Sequence, residues 1–352
     1  MDAVLTAMVE DQIGPGERSK ILIQTAKEHL HFDYALALRS PATALHVALK
    51  ALNLEKNSGV VISALSPRYY AQVLSDLDLA PIFCDVSFSF PCMSLENIEK
   101  AIASCRDSAQ AGGIEPRCIV LHHTLGFIPD TESILETGLP IIEDISQSYV
   151  PSLPDTQEQN DSANSEGEKK AKAELSRGTF AILGLEERDM LTSGGGALLF
   201  AMNRKDGSLL RAFSNIAPEY CLPDINAALA TVQFREAAKN MIRRNEIAQV
   251  YSQASLRTRH KMFIPPEGIE YNNFAFPLIL EAGMKDVTTY ARKKEIIVET
   301  AFDQTLAGKG ICDSMLCPAS YSLSLRTVLF PLYPRLRSKD ADRVSKLIMT
   351  LP

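Results

Sequence analysis

The chain has 352 residues, of which 46% are hydrophobic and 22% charged. Those are ordinary globular values; they fit one large domain or about two average ones and exclude disorder of the whole chain. A net charge of −7 argues against a general nucleic-acid binder, whose footprint is basic, and leaves open a small anionic ligand held by a few local donors. Seven cysteines without a Cys-x-x-Cys pair read as reduced, mostly buried thiols and not as a disulfide framework or zinc site. The start, Met1-Asp2-Ala3-Val4, lacks the layout of a signal peptide. The uncharged stretch Met190–Asn203 is too short and glycine-rich to span a bilayer. A cytoplasmic location, with no membrane and no nucleic acid as partner, is the expectation.

Along the chain, strands are expected at Tyr34–Arg39, Gly59–Leu65, Pro81–Val86, Cys118–His122, Pro140–Ile145, Thr179–Leu185 and Ala197–Met202. Each is nearly continuous in apolar residues, the pattern of strands covered on both faces. Helices are expected between them at Ala42–Leu52, Leu95–Ser104 and Asp130–Glu136. Alternating strand and helix implies an α/β sheet with ligands at the C-terminal strand ends. The segment Pro151–Gly178 has only five hydrophobic residues and cannot repay its ordering entropy, so it reads as a flexible polar insertion. After about residue 223 the pattern changes. A long helical stretch, broken or continuous, runs over Asp224–Ser252. Extended segments follow near Ile264 and at Phe274–Leu280, then a helix over Val287–Glu299 and a short terminal helix. Domains of 1–235 and 236–352 are expected, the second a smaller α+β unit.

Several polar features carry bland readings. Gly194-Gly195-Gly196 lacks a Walker lysine and dinucleotide spacing, and reads as a tight turn before a strand. Adjacent His122 and His123 point to opposite faces of a strand and so do not share one metal. His29 and His31 read as solvent-facing. Arg243-Arg244 reads as part of a helix face, with phosphate binding as the alternative.

Taken in order, further segments carry a resemblance. They are Gly14-Pro15-Gly16-Glu17, Ala35-Leu36-Ala37-Leu38-Arg39-Ser40, Pro81-Ile82-Phe83-Cys84-Asp85, His123 with Gly126, and Glu143-Asp144-Ile145-Ser146-Gln147. The series continues with Thr192–Gly196, Ile225-Asn226-Ala227-Ala228, Arg243–Ala248, Cys317-Pro318-Ala319 and Pro331-Leu332-Tyr333-Pro334. Together they resemble the DegT/DnrJ/StrS-type sugar aminotransferases, over nearly the whole chain. The resemblance implies the aspartate-aminotransferase-like (type I) fold: a mostly parallel seven-stranded sheet with a smaller α+β C-terminal domain. It also implies pyridoxal phosphate (PLP) as cofactor, a nucleotide-linked keto sugar as ligand, a link to cell-surface polysaccharide biosynthesis, and a dimer.

Within that resemblance, Asp144 falls where a carboxylate keeps the pyridine nitrogen protonated, and Gln147 matches a glutamine near the ring. Their bland alternatives are a helix-start cap and a surface polar residue. Ser40 matches the first residue of a phosphate-binding Ser-Gly-Thr turn, but Pro41 removes a donor and Ala42 a hydroxyl. The ring-stacking aromatic falls on Pro67, with Tyr69 and Tyr70 close by, and a phosphate-binding serine falls among Ala181–Leu183. The Schiff-base lysine falls on Arg188, and no lysine occurs between Lys172 and Lys205. A guanidinium stays protonated and cannot become the imine nucleophile. Two readings follow: an aminotransferase of doubtful activity, or a non-catalytic homologue. The second would bind a nucleotide sugar, regulate, or pair with itself or with a lysine-bearing paralogue.

Overall fold

The computed structural model describes residues 2–11, 13–107, 113–151, 177–265, 271–281 and 283–352. The insertion expected at 151–178 therefore lies, apart from its two ends, outside the described residues.

Seven strands form one sheet: β1 (Tyr34–Leu38), β2 (Gly59–Ser63), β3 (Ala80–Cys84), β4 (Pro116–His122), β5 (Ile141–Asp144), β6 (Phe180–Gly184) and β7 (Ala197–Ala201). Their spatial order is β1-β7-β6-β5-β4-β2-β3. The run from β3 to β6 is parallel, and β7 alone is reversed, pairing antiparallel with both β6 and β1. Strands β2, β5, β6 and β7 are buried at every position, because helices cover both faces. Helices α3 (Pro41–Ala51), α4 (Tyr69–Asp76) and α7 (Arg204–Arg211) pack on the face carrying Val60, Ile62, Val120, Ile142 and Ile182. The opposite face carries Ile119, Leu121, Ile141, Leu183 and Phe200. It is covered by α2 (Glu17–Leu30), α5 (Leu95–Asp107), α6 (Thr131–Leu135) and α8 (Asp224–Ser255). A short helix α1 (Asp2–Val9) precedes them.

Helix α8 is one unbroken helix of 32 residues. Its first half, with Ala227, Phe234 and Met241, belongs to the core under the large sheet. Its second half, with Ile247, Tyr251 and Ala254, belongs to a separate core. That core lies under a small antiparallel sheet in the order β8 (Phe276–Ile279), β10 (Thr327–Phe330), β9 (Glu299–Thr300). Helices α9 (Met284–Lys293) and α11 (Ser338–Met349) complete that core, and α10 (Pro318–Arg326) leads into β10. Helix α9 is shorter than the sequence pattern suggests, because the chain turns at Glu295, where φ is +59°.

Asp224 opens α8, and its carboxylate also caps another helix. It accepts the backbone N–H groups of Gly16, Arg18 and Ser19 at 2.9–3.0 Å, satisfying donors that the start of α2 would otherwise leave orphaned. A side chain on Gly16 would place a Cβ 2.9 Å from that carboxylate, which accounts for the glycine in Gly14-Pro15-Gly16-Glu17. His31 is exposed as its surroundings in the sequence suggest, whereas His29 is half-buried, its ring stacked on Phe234 at 5.8 Å. Among the described residues, no helix is long and apolar enough to cross a membrane.

Candidate functional site

A cleft of about 1290 Å³ opens beyond the C-terminal ends of β4, β5 and β6, where α/β sheets place their ligands. Its floor carries His122, Thr124, Gln147, Arg188 and Asp189; its far wall comes from the segments Glu295–Thr305 and Leu329–Val344 of the smaller unit.

Asp144 ends β5 and is 1% exposed. Its Oδ2 accepts the Tyr70 hydroxyl at 2.7 Å and the Tyr69 hydroxyl at 3.3 Å. Its Oδ1 accepts both the backbone N–H and the hydroxyl of Ser146. An ionised carboxylate offers roughly four lone-pair positions, so these four donors use its capacity. Burial, followed by the Asp144 charge, raises both tyrosine hydroxyls well above the ordinary phenol range, which keeps them protonated as donors. Neither Asp144 nor Tyr70 is among the residues lining the cleft.

The two histidines separate onto the two faces. His122 packs edge-on against Tyr70, with Nδ1 3.8 Å from Asp144 Oδ2. That is too long for a hydrogen bond, and Nδ1 has no hydrogen-bond partner among the described residues. Burial pushes the His122 imidazole below its ordinary pKa, against the pull of the Asp144 charge. His123 instead faces Ser148 at 2.7 Å and Glu143 at 3.2 Å, and Glu143 also accepts the Thr131 hydroxyl. This second cluster is fully buried and stitches the strand ends to α6.

Gln147 lines the cleft, but its Oε1 accepts the Leu125 N–H at 2.7 Å. It thereby holds the left-handed turn at Leu125 and Gly126, where φ is +55° and +85°. Ser40 caps α3: its hydroxyl accepts the Thr43 N–H at 3.1 Å and pairs with the Thr43 hydroxyl at 3.0 Å. Pro41 is the first residue of that helix. Ser40 does not line the cleft.

Arg188 lines the cleft with its side chain 72% exposed, paired with Glu299 at 3.0 Å. The more buried residue of that loop is its neighbour. Asp189 Oδ2 accepts the Glu186 N–H at 2.8 Å and lies over Gly184, where a Cβ would come within 2.3 Å of it. Burial, reinforced by the charges of Asp144 and Glu186, raises the Asp189 carboxyl well above the ordinary carboxylate range, although the Glu186 N–H works against this. Sequence reasoning passed over Asp189, although a glycine ending a buried strand is a signal of close approach. Arg244 is held by the carbonyls of Phe274 and Leu332, and burial lowers its pKa to about 10. Arg243 binds the carbonyl of Leu336. Both arginines tie α8 to the smaller unit. The glycine run turns the β6–β7 hairpin, with φ between +74° and +135°, and Gly195 N–H bonds the Leu185 carbonyl. All seven cysteines are free thiols, and no metal-ligating group of three or more lies among the described residues.

These residues do not fit pyridoxal phosphate. No described lysine lines the cleft. The carboxylate that would face the pyridine nitrogen is saturated by its own tyrosines and serine, and the helix start that would hold the phosphate is closed by Ser40 and Pro41.

Comparison with known proteins gives three kinds of likeness. The model of the DegT/DnrJ/EryC1/StrS aminotransferase family matches residues 1–157 and 199–349; the stretch left out includes Arg188. The L-glutamine:2-deoxy-scyllo-inosose aminotransferase of Streptomyces fradiae is 25% identical over 59% of this chain, which spans only 43% of that relative. The dTDP-4-dehydro-2,3,6-trideoxy-D-glucose 4-aminotransferase of Saccharopolyspora spinosa is 21% identical over 98% of this chain and 92% of its own length. Among solved structures, a DegT DnrJ EryC1 StrS aminotransferase from Brucella abortus superposes with a TM-score of 0.81 at 19% identity, covering 99% of this chain and 93% of its own. The aminotransferase fold expected from the sequence is therefore the fold found.

Proposed function

The chain belongs to the DegT/DnrJ/EryC1/StrS aminotransferase family, and from that premise we propose that it is a member that does not transaminate. Family enzymes depend on pyridoxal phosphate, an electron sink that needs a lysine imine and a carboxylate on its ring nitrogen. The observation carrying the reading is that no described lysine lines the cleft and Arg188 faces Glu299. The enclosure of Asp144 by Tyr69, Tyr70 and Ser146 supports it independently.

The scaffold is kept, so the function retained is binding. We propose a nucleotide-linked sugar as ligand, in line with the dTDP-sugar named for the Saccharopolyspora relative. The chain would then act as a nucleotide-sugar-binding, regulatory or partner subunit in amino-sugar and polysaccharide synthesis, paired with itself or with a lysine-bearing paralogue. Calorimetric titration of the purified protein with dTDP-glucose and GDP-mannose, without added cofactor, tests this. Saturable binding of either is the expected result. No binding of either, together with turnover of a keto-sugar nucleotide when PLP and glutamate are supplied, would contradict it.

A further inference from the structure

Beyond the end of α8 the chain runs back along the edge of the small sheet before it crosses to the large one. Lys261 makes a two-way backbone bridge with Ile279 of β8: its N–H meets the Ile279 carbonyl at 3.0 Å, and its carbonyl accepts the Ile279 N–H at 2.8 Å. This covers an otherwise open sheet edge. Phe263 is then buried against Phe127 and Phe302, with ring centres 5.6 and 6.5 Å apart. The Ile264 N–H ends the crossing on the Ser89 carbonyl at 2.9 Å. Phe127 also stacks on Tyr271, whose hydroxyl donates to the carbonyl of Leu125, a residue lining the cleft. Residues 259–264 are thus a strap that ties the smaller unit to the large one beside the cleft.

His260 pins this strap. It is 7% exposed, and its Nδ1 accepts the backbone N–H of Glu281, just past β8, at 3.2 Å. A ring nitrogen that accepts carries no proton, so the imidazole is neutral and its proton sits on Nε2. Nε2 is buried without a hydrogen-bond partner among the described residues. The contact therefore belongs to the neutral ring alone. A proton on Nδ1 would set one N–H against another and leave a buried cation with no acceptor on either nitrogen.

The surrounding charges act in the same sense. Arg259 and Lys261 flank the ring along the chain, and Arg326 ends α10 with its carbonyl on the Leu280 N–H, next to Glu281. The Glu281 carboxylate is already paired with Lys261 at 2.9 Å. From the end of α8 come the uncharged Ser255 and Thr258, whose hydroxyls donate to α8 carbonyls. Burial, then the Arg259 charge, pushes the His260 imidazole below its ordinary pKa, against the pull of Glu281.

We propose that His260 is an acid-sensitive clasp: its protonation unfastens residues 259–264 from the edge of β8 and loosens the smaller unit's hold on Phe127 beside the cleft. The strapped state binds the proton less tightly than the opened one. The clasp is therefore complete above the ordinary histidine pKa of about 6.5 and weakens as pH falls below it. It acts whatever the cleft binds.

The test is hydrogen exchange on the full chain between pH 8 and pH 5, read by peptide mass spectrometry and corrected for the intrinsic rate at each pH. Peptides over residues 258–264 and over β8 should lose protection several-fold, by no more than about tenfold per pH unit for one proton. Strands β1 and β7 should keep theirs. His260→Asn sets a non-titrating acceptor near the Nδ1 position and should hold protection constant across the range. Glu281→Gln keeps the backbone N–H and removes the neighbouring carboxylate, so the loss should persist with its midpoint moved to lower pH. That variant carries the comparison if His260→Asn does not fold. Equal protection of the strap at pH 8 and pH 5 in the wild type would overturn the clasp. The same loss in His260→Asn, its abolition by Glu281→Gln, or a uniform loss over every peptide would overturn it equally.

Discussion

At the scale of single residues, the site is decided by what each side chain of an adjacent pair meets. Arg188 reaches across the cleft to Glu299 on its far wall, and Asp189 lies over Gly184. Restoring the lysine alone is therefore not enough: Arg188→Lys, incubated with pyridoxal phosphate, should gain no aldimine absorbance, because the new amine would meet Glu299 and the ring position would still be closed. A visible band on a single lysine would refute that. Tyr70→Phe leaves Asp144 short of its shortest phenol donor. A loss of about 1–3 kcal/mol is expected in chemical denaturation, and an unchanged midpoint would show that the Tyr70–Asp144 bond does not hold the site shut. Asp189 makes a pH prediction. Its folded-state pKa is raised, so the folded chain binds the proton more tightly than the unfolded chain. Its contribution to stability is complete at acid pH, below the unfolded pKa, and is lost as pH rises through the folded one. Asp189→Asn should thus gain in melting temperature relative to wild type as the pH rises above the ordinary aspartate range near about pH 4; a difference independent of pH would contradict the assignment.

At the scale of elements, the apolar runs made the strands legible. Seven continuous hydrophobic stretches became seven strands, and the periodicity of Ala42–Leu52 became α3. The helices α1, α2, α4 and α10 had no comparable signal: α2 is mostly polar, and α4 begins at paired tyrosines that read only as neighbours of Pro67. Nothing in sequence spacing brings Tyr70 to Asp144, which lies 74 positions away; only the parallel packing of β2, β4 and β5 does so. The cap that Asp224 supplies to α2 crosses more than two hundred positions and was equally hidden. Asp224→Ala should unpair three backbone N–H groups at a buried site and cost about 3 kcal/mol, read as a fall in denaturation midpoint with loss of protection in α2 by hydrogen exchange. Retained protection there would show that α2 does not depend on this cap.

At the scale of the whole molecule, the resemblance of ordered short segments gave the family, and the fold followed from it. Asp144, Gln147 and Ser40 all stand at the strand ends or helix start that the resemblance assigned. What could not be read from residue identities was their engagement: Asp144 held by two tyrosines and Ser146, Gln147 spent on the Leu125 turn, Ser40 on its own helix cap. Identity at a position is a local property, whereas the filling of a cleft depends on side chains arriving from elements far apart in the chain. On the proposed function, this family scaffold has closed its cofactor site. The most direct measurement is incubation of the wild-type protein with excess pyridoxal phosphate, reduction with borohydride, and peptide mass spectrometry. Only scattered, substoichiometric labelling of surface lysines is expected. One stoichiometric adduct on a single lysine, matched by an aldimine band before reduction, would contradict it.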